Sequence, residues 1–85
     1  MDIIYRVQQR LENVGIIEPR LEAEMLIAHI LGLERHELYL NRDLTIGGDE
    51  RAELFRLTQR RCMGEPIQYI IGHREFMGLS FSVDN

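Results

Sequence analysis

Apolar residues recur along the first part of the chain at helical rather than strand spacing. Ile3, Ile4, Val7, Leu11 and Val14 fall on one narrow stripe, which predicts a surface helix from about Asp2 to Asn13 packed by one face. Gly15 suits the left-handed position that ends such a helix. Pro19 then stands where proline is best tolerated, in the first turn of a second helix. From Pro19 to Leu31 the pattern changes. Leu21, Ala23, Met25, Leu26, Ile27, Ala28, Ile30 and Leu31 surround nearly the whole wheel. Only a thin strip with Glu22 and His29 stays polar, with Arg20 and Glu24 near the start. A helix apolar on most sides belongs at the centre of a bundle, and Gly32 stops it.

A short third helix is expected from Glu34 to Leu40, anchored by Leu33, Leu38 and Tyr39. Asn41 to Gly48 has no stripe and ends in a glycine doublet, so it reads as a loop. Asp49 can cap the next helix, with Glu50 and Glu53 placing negative charge in its first turns. Leu54, Phe55, Thr58 and Cys62 form its predicted buried stripe, flanked by Leu57, while Glu53, Arg56 and Arg60 share the other side. Gly64 and Pro66 break the pattern, and residues 67–71 read as one helical turn or a short extended piece. Beyond them, Leu79, Phe81 and Val83 alternate with Ser80 and Ser82, the period of a half-buried strand. Gly78, between this run and Arg74-Glu75-Phe76, predicts a hairpin. The expected fold is mainly α: a bundle of four to five helices over residues 1–72, then a C-terminal β-hairpin over 73–85. A lone hairpin is barely stable, and the sequence stops before supplying something for it to pack on, which hints at a piece cut from a longer chain.

Composition narrows the classes. Eighty-five residues suit one small domain or a piece of a larger protein. With 45% hydrophobic and 28% charged residues, the chain has enough apolar surface to fold rather than stay disordered. No apolar run approaches the ~20 residues of a spanning helix, so no membrane partner is expected. The net charge of −4 lacks the basic footprint of phosphate neutralisation, which argues against nucleic acid. All ten cations are arginine. One cysteine and no export signal make a reducing cytoplasm the expected compartment.

The usual catalytic constellations fail one by one. His29, His36, His73 and Cys62 are scattered over four elements at no ligand spacing, so no metal site is expected. Cys62 lies on the apolar stripe of its helix, where a small buried hydrophobe is expected rather than a nucleophile. Gly47-Gly48 follows too short a run to be a phosphate-binding turn after a strand. Glu18 with Glu22, and Asp49 with Glu53, read as solvated or dipole-compensating pairs. Arg56 and Arg60, four apart on a polar face, could receive an acidic partner, although a solvated face is the plainer reading. By residue chemistry the chain is a non-catalytic helical module with no catalytic, cofactor-binding or metal-binding residue.

Two stretches are more specific. Pro19-Arg20-Leu21-Glu22-Ala23-Glu24 opens the central helix. Gly64-Glu65-Pro66-Ile67-Gln68-Tyr69-Ile70-Ile71-Gly72 continues through Glu75-Phe76, Gly78, Phe81 and Val83. Together, in order and over essentially the whole chain, they resemble the N-terminal domain of the HemK/PrmC family. These are the N5-glutamine methyltransferases that modify peptide-chain release factors in translation termination. The resemblance implies a helical substrate-recognition domain joined by a β-hairpin linker to a Rossmann-like methyltransferase domain. That second domain carries the S-adenosylmethionine loop and an Asn-Pro-Pro-Tyr sequence, neither of which occurs here. No cofactor is therefore expected in this chain, S-adenosylmethionine is expected in the parent enzyme, and no family catalytic residue maps onto it. The implied partners are release factors, approached through Arg56, Arg60 or the hairpin edge, and the chain's own methyltransferase domain. Phe76, Gly78, Leu79 and Phe81 would pack against the latter. Two other readings stay open: the equivalent domain of a ribosomal-protein glutamine methyltransferase, and a free-standing helical adaptor.

Overall fold

The computed structural model describes residues 2–40 and 45–72, which form five helices and their connections. They are α1 (Asp2–Asn13), α2 (Pro19–Leu31), α3 (Arg35–Leu40), α4 (Gly48–Cys62) and α5 (residues 67–72). No strand occurs among the described residues, and the expected hairpin, with Phe76, Gly78, Leu79 and Phe81, lies outside them.

The helices end where glycine allows. Gly15, Gly32 and Gly64 all have positive φ, at 86°, 72° and 105°. In each case the next N–H reaches back into the helix: Ile16 N to Leu11 O at 3.1 Å, Leu33 N to Ala28 O at 2.9 Å, and Glu65 N to Arg60 O at 3.2 Å. This six-to-one closure satisfies carbonyls that the last turn would leave without donors. A Cβ at Gly64 would meet nothing within 4 Å, so substitution there is opposed by backbone strain rather than by lack of space.

Packing follows the two amphipathic patterns. Ile3, Ile4, Val7 and Leu11 from α1 meet Ala23, Leu26, Ile27 and Ala28 from α2, with Leu54 and Leu57 of α4 closing the other side. α2 packs against α1, α3 and α4, so it is the central helix its pattern predicted. Burying a leucine or isoleucine side chain contributes about 1.5–3 kcal/mol, which makes this cluster the main source of stability. Two ties span the seams. Arg10 Nη2 donates to Gln59 Oε1 at 2.6 Å between α1 and α4, and Arg61 Nε donates to Glu22 Oε1 at 2.6 Å between α4 and α2. The buried Thr58 hydroxyl donates to Leu54 O at 2.8 Å, satisfying itself within α4.

Several expectations need correction. Val14 is exposed rather than part of the α1 stripe, because the helix ends one residue earlier and the turn at Gly15 carries it outward. α3 begins at Arg35, one residue late. α4 begins at Gly48 with Gly47 as its cap, and Asp49 sits inside the first turn. The reason is Glu50, whose Oε1 accepts from Gly47 N at 3.0 Å, the reach-back half of a capping box. On α4 the fully buried residues are Leu54, Leu57 and Thr58, while Phe55 and Cys62 are half-buried at the edge. Residues 67–72 are helical: Ile67 and Ile70 are three apart and both buried, which only a helix achieves on one face.

Candidate functional site

The one charged side chain buried in the described core is Glu24. On the helical wheel it falls between Ala28 and Leu31, on the side of α2 that receives α3 and away from Glu22 and His29. Its carboxylate is 2% exposed and accepts from three side chains. Arg20, one turn earlier on α2, donates Nε to Oε2 at 2.8 Å. Tyr39 on α3 donates its hydroxyl to the same oxygen at 2.6 Å. Arg35, at the start of α3, donates Nε and Nη2 to Oε1 at 3.3 and 3.1 Å.

Electrostatics decides the state of this group. Burial alone would raise the Glu24 pKa, but the donors from Tyr39, Arg20 and Arg35 outweigh it and hold the carboxyl below its usual range. Glu24 is therefore a carboxylate at neutral pH. The same hydrogen bond pushes the Tyr39 phenol up, because losing its proton would set two anions against each other. In chemical terms the cluster is a fixed anion–dication with a phenol: it can orient side chains and attract charge, but it holds no proton poised for transfer near neutral pH.

Tyr39 is thus not the apolar anchor its position predicted; its ring is mostly exposed and it is held by its hydroxyl, while Leu38 is the buried anchor. Beside the cluster, an open cleft of about 460 Å³ is lined by Met25, Ala28, His29, Leu33, Arg35 and Ile71, among others. Arg35 belongs to both the cleft and the cluster.

The arginines singled out from sequence sit elsewhere, on α4. Arg56 pairs with Glu53, Nε to Oε1 at 3.0 Å, with 58% and 45% of the two side chains exposed. Arg60 is gripped at both ends by Glu65, Nε to Oε1 at 2.8 Å and Nη2 to Oε2. Each cation therefore has its own carboxylate, and α4 is a neutralised face rather than a bare basic one. Of the carboxylate pairs, Glu22 serves Arg61 and Glu53 serves Arg56. Among the described residues no group of three His, Cys, Asp or Glu could hold a metal ion, and no helix is long and apolar enough to cross a membrane.

Sequence reading missed Glu24. Its i,i+4 spacing to Arg20 looks like an ordinary surface pair, and the available signal was its wheel position between two apolar residues.

The release factor glutamine methyltransferase of Chlorobaculum tepidum is 49% identical over 72 residues, covering 81% of this chain and 24% of the relative. That of Geobacter sulfurreducens is 44% identical over 73 residues, 86% of this chain and 26% of the relative. That of Nitratidesulfovibrio vulgaris is 35% identical over 82 residues, 96% of this chain and 28% of the relative. The chain therefore spans less than a third of the length of these relatives. No solved structure matches. Residues 2–72 match the PrmC N-terminal domain, which is all five described helices and stops at the last residue of α5. The chain belongs to the PrmC N-terminal domain family.

Proposed function

We propose that this chain is the substrate-recognition part of a protein-(glutamine-N5) methyltransferase acting on the Gly-Gly-Gln glutamine of peptide-chain release factors. The observation that carries the reading is the match of residues 2–72 to the PrmC N-terminal domain. Relatives aligned over most of the chain bear the name release factor glutamine methyltransferase, which supports it. In this reading residues 1–72 are the recognition domain. Residues 73–85 lead to the methyltransferase domain, with Phe76, Gly78, Leu79 and Phe81 packing against it.

Transfer of a methyl group from S-adenosylmethionine would take place on that other domain. The described residues do not fit the cofactor, since they contain no strand and hence no strand–glycine turn–helix cradle. This chain would act by position. Holding a bulky protein so that one glutamine reaches the reacting carbon lowers the barrier without adding a chemical group. Arg56 and Arg60 are contact candidates under this reading, once their carboxylate partners exchange for acidic groups of the factor.

The test compares full-length enzyme with enzyme lacking residues 1–72, on an intact release factor and on a short peptide carrying the Gly-Gly-Gln loop. Recognition predicts that deletion raises KM for the intact factor by about tenfold or more, roughly 1.4 kcal/mol of binding, and leaves the peptide unaffected. Equal losses on both substrates would refute it.

A further inference from the structure

Two guanidinium groups share one carboxylate where α2 meets α3, and this sets the place apart from the other described ion pairs. Arg56–Glu53, Arg60–Glu65 and Arg61–Glu22 are each one cation to one anion. At Glu24 both oxygens are taken from inside, by Arg20, Arg35 and Tyr39, so within the cluster itself two cations face one anion. That charge is at the surface: the side chains of Arg20 and Arg35 are 57% and 46% exposed. Arg20 engages Glu24 through Nε, and no described residue accepts from its two terminal nitrogens.

The surroundings add apolar character. Tyr39, tied to Glu24 by its hydroxyl, leaves its ring mostly exposed, and the next residue, Leu40, is 77% exposed. On the other side of Arg35 lies the cleft, with Met25, Leu33 and Ile71 in its lining. Arginine and tyrosine are enriched in protein interfaces, and their contribution is greatest when they are already held in place. Buried Glu24 supplies that holding. Arg6 and Arg51 are exposed as well, but neither leans on a buried anchor.

We propose that the Arg20–Arg35–Tyr39 surface of α2 and α3 docks an acidic segment of a protein partner. A carboxylate of the partner sits against the two guanidinium groups, and an apolar neighbour enters the cleft. Glu34 and Glu37 also line the cleft. Glu37 Oε1 is tied to Glu34 N at 2.7 Å. The proposal rests on the recognition reading in that the partner would be the protein substrate, and it gives that reading a surface and a chemistry.

The test uses the 85-residue chain, labelled for NMR, with a capped ten-residue peptide containing two Glu and two Leu, and with its Gln counterpart. Saturable shifts at the Nε–Hε signals of Arg20 and Arg35 are expected, with at least tenfold weaker binding of the Gln peptide. Arg20→Gln and Arg35→Gln should each weaken binding at least fivefold while keeping the helical circular dichroism. Tyr39→Phe removes the bond that holds the ring to Glu24 but keeps both cations, so it should lower stability and weaken binding by less than either arginine variant. No saturable binding, shifts spread equally over Arg6 and Arg51, or arginine variants that bind like the parent would each overturn the proposal. KM for the intact release factor separates this failure from that of the recognition reading. A KM that rises on deleting residues 1–72 but not with Arg20→Gln and Arg35→Gln sinks this surface alone, whereas no rise on deletion sinks the recognition reading.

Discussion

The α2–α3 junction and the outer face of α4 are built from the same side chains and behave differently. On α4, Arg56 and Glu53 meet across one turn with about half of each side chain in water. At the junction, Glu24 is almost wholly out of water and three donors hold it charged. An exposed pair gains little, because water competes for both partners and the side chains must be ordered to meet. A buried carboxylate gives a large effect only in one direction: removing one side of the arrangement leaves groups without partners. The contrast says that burial of the shared anion, rather than the number of ion pairs, decides what an arginine does in this domain.

The largest expected effect is at the anion. Glu24→Ala should destabilise the chain by about 3 kcal/mol, a drop of more than 10 °C in the thermal midpoint by circular dichroism for a domain of this size. An effect under 0.5 kcal/mol would make the junction no different from α4. Part of that stabilisation should depend on pH. The folded pKa of Glu24 lies below the ordinary value of 4.5. Its contribution is therefore complete above about that value and lost as pH falls through the lower folded value. Urea midpoints should fall between pH 5 and pH 2, and by less in Glu24→Gln. A parallel fall in both proteins would assign the acid sensitivity elsewhere.

Tyr39→Phe should come next, at about 1.5 kcal/mol, since a hydrogen bond to a charged acceptor is lost and the other donors remain. Urea unfolding would resolve it, and no change would mean that the two arginines suffice. Smallest is Glu53→Ala, expected within about 0.5 kcal/mol; a loss above 1 kcal/mol would erase the contrast. The Arg56 hydrogen bond also holds the Glu53 carboxyl below its ordinary value, so the small contribution of this exposed pair should likewise fade as pH falls through the lowered folded pKa.

Much of the fold was legible because the determinants were local. The limits of α1 and α2 follow from apolar spacing, from Pro19 and from the glycines that close them. The cap of α4 went astray by two residues because Glu50 competes with Asp49 for the helix start, and reach-back to Gly47 is equally a local rule. Glu24 and Tyr39 could not be placed in the same way. Their partners are 11 and 15 residues apart in sequence, and which donors reach a carboxylate depends on how α3 folds back onto α2. Arg56, Arg60 and Glu53 were put on one polar face, where Arg56 and Glu53 meet as i,i+3 neighbours within α4; the Arg60–Glu65 pair was not legible in the same way, because Glu65 lies beyond the turn at Gly64.

Cys62 has a use unrelated to any catalytic role. It is the single thiol of the 85 residues, half-buried at the end of α4 with its sulfur 3.8 Å from the carbonyl of Arg10 on α1. The contact with α1 shields part of the thiol, so labelling should speed up when those two helices part locally. A change in the rate at which Cys62 is labelled should therefore follow a change in how closely the first and fourth helices pack. It can be read without adding a probe, in the isolated domain or with a partner bound.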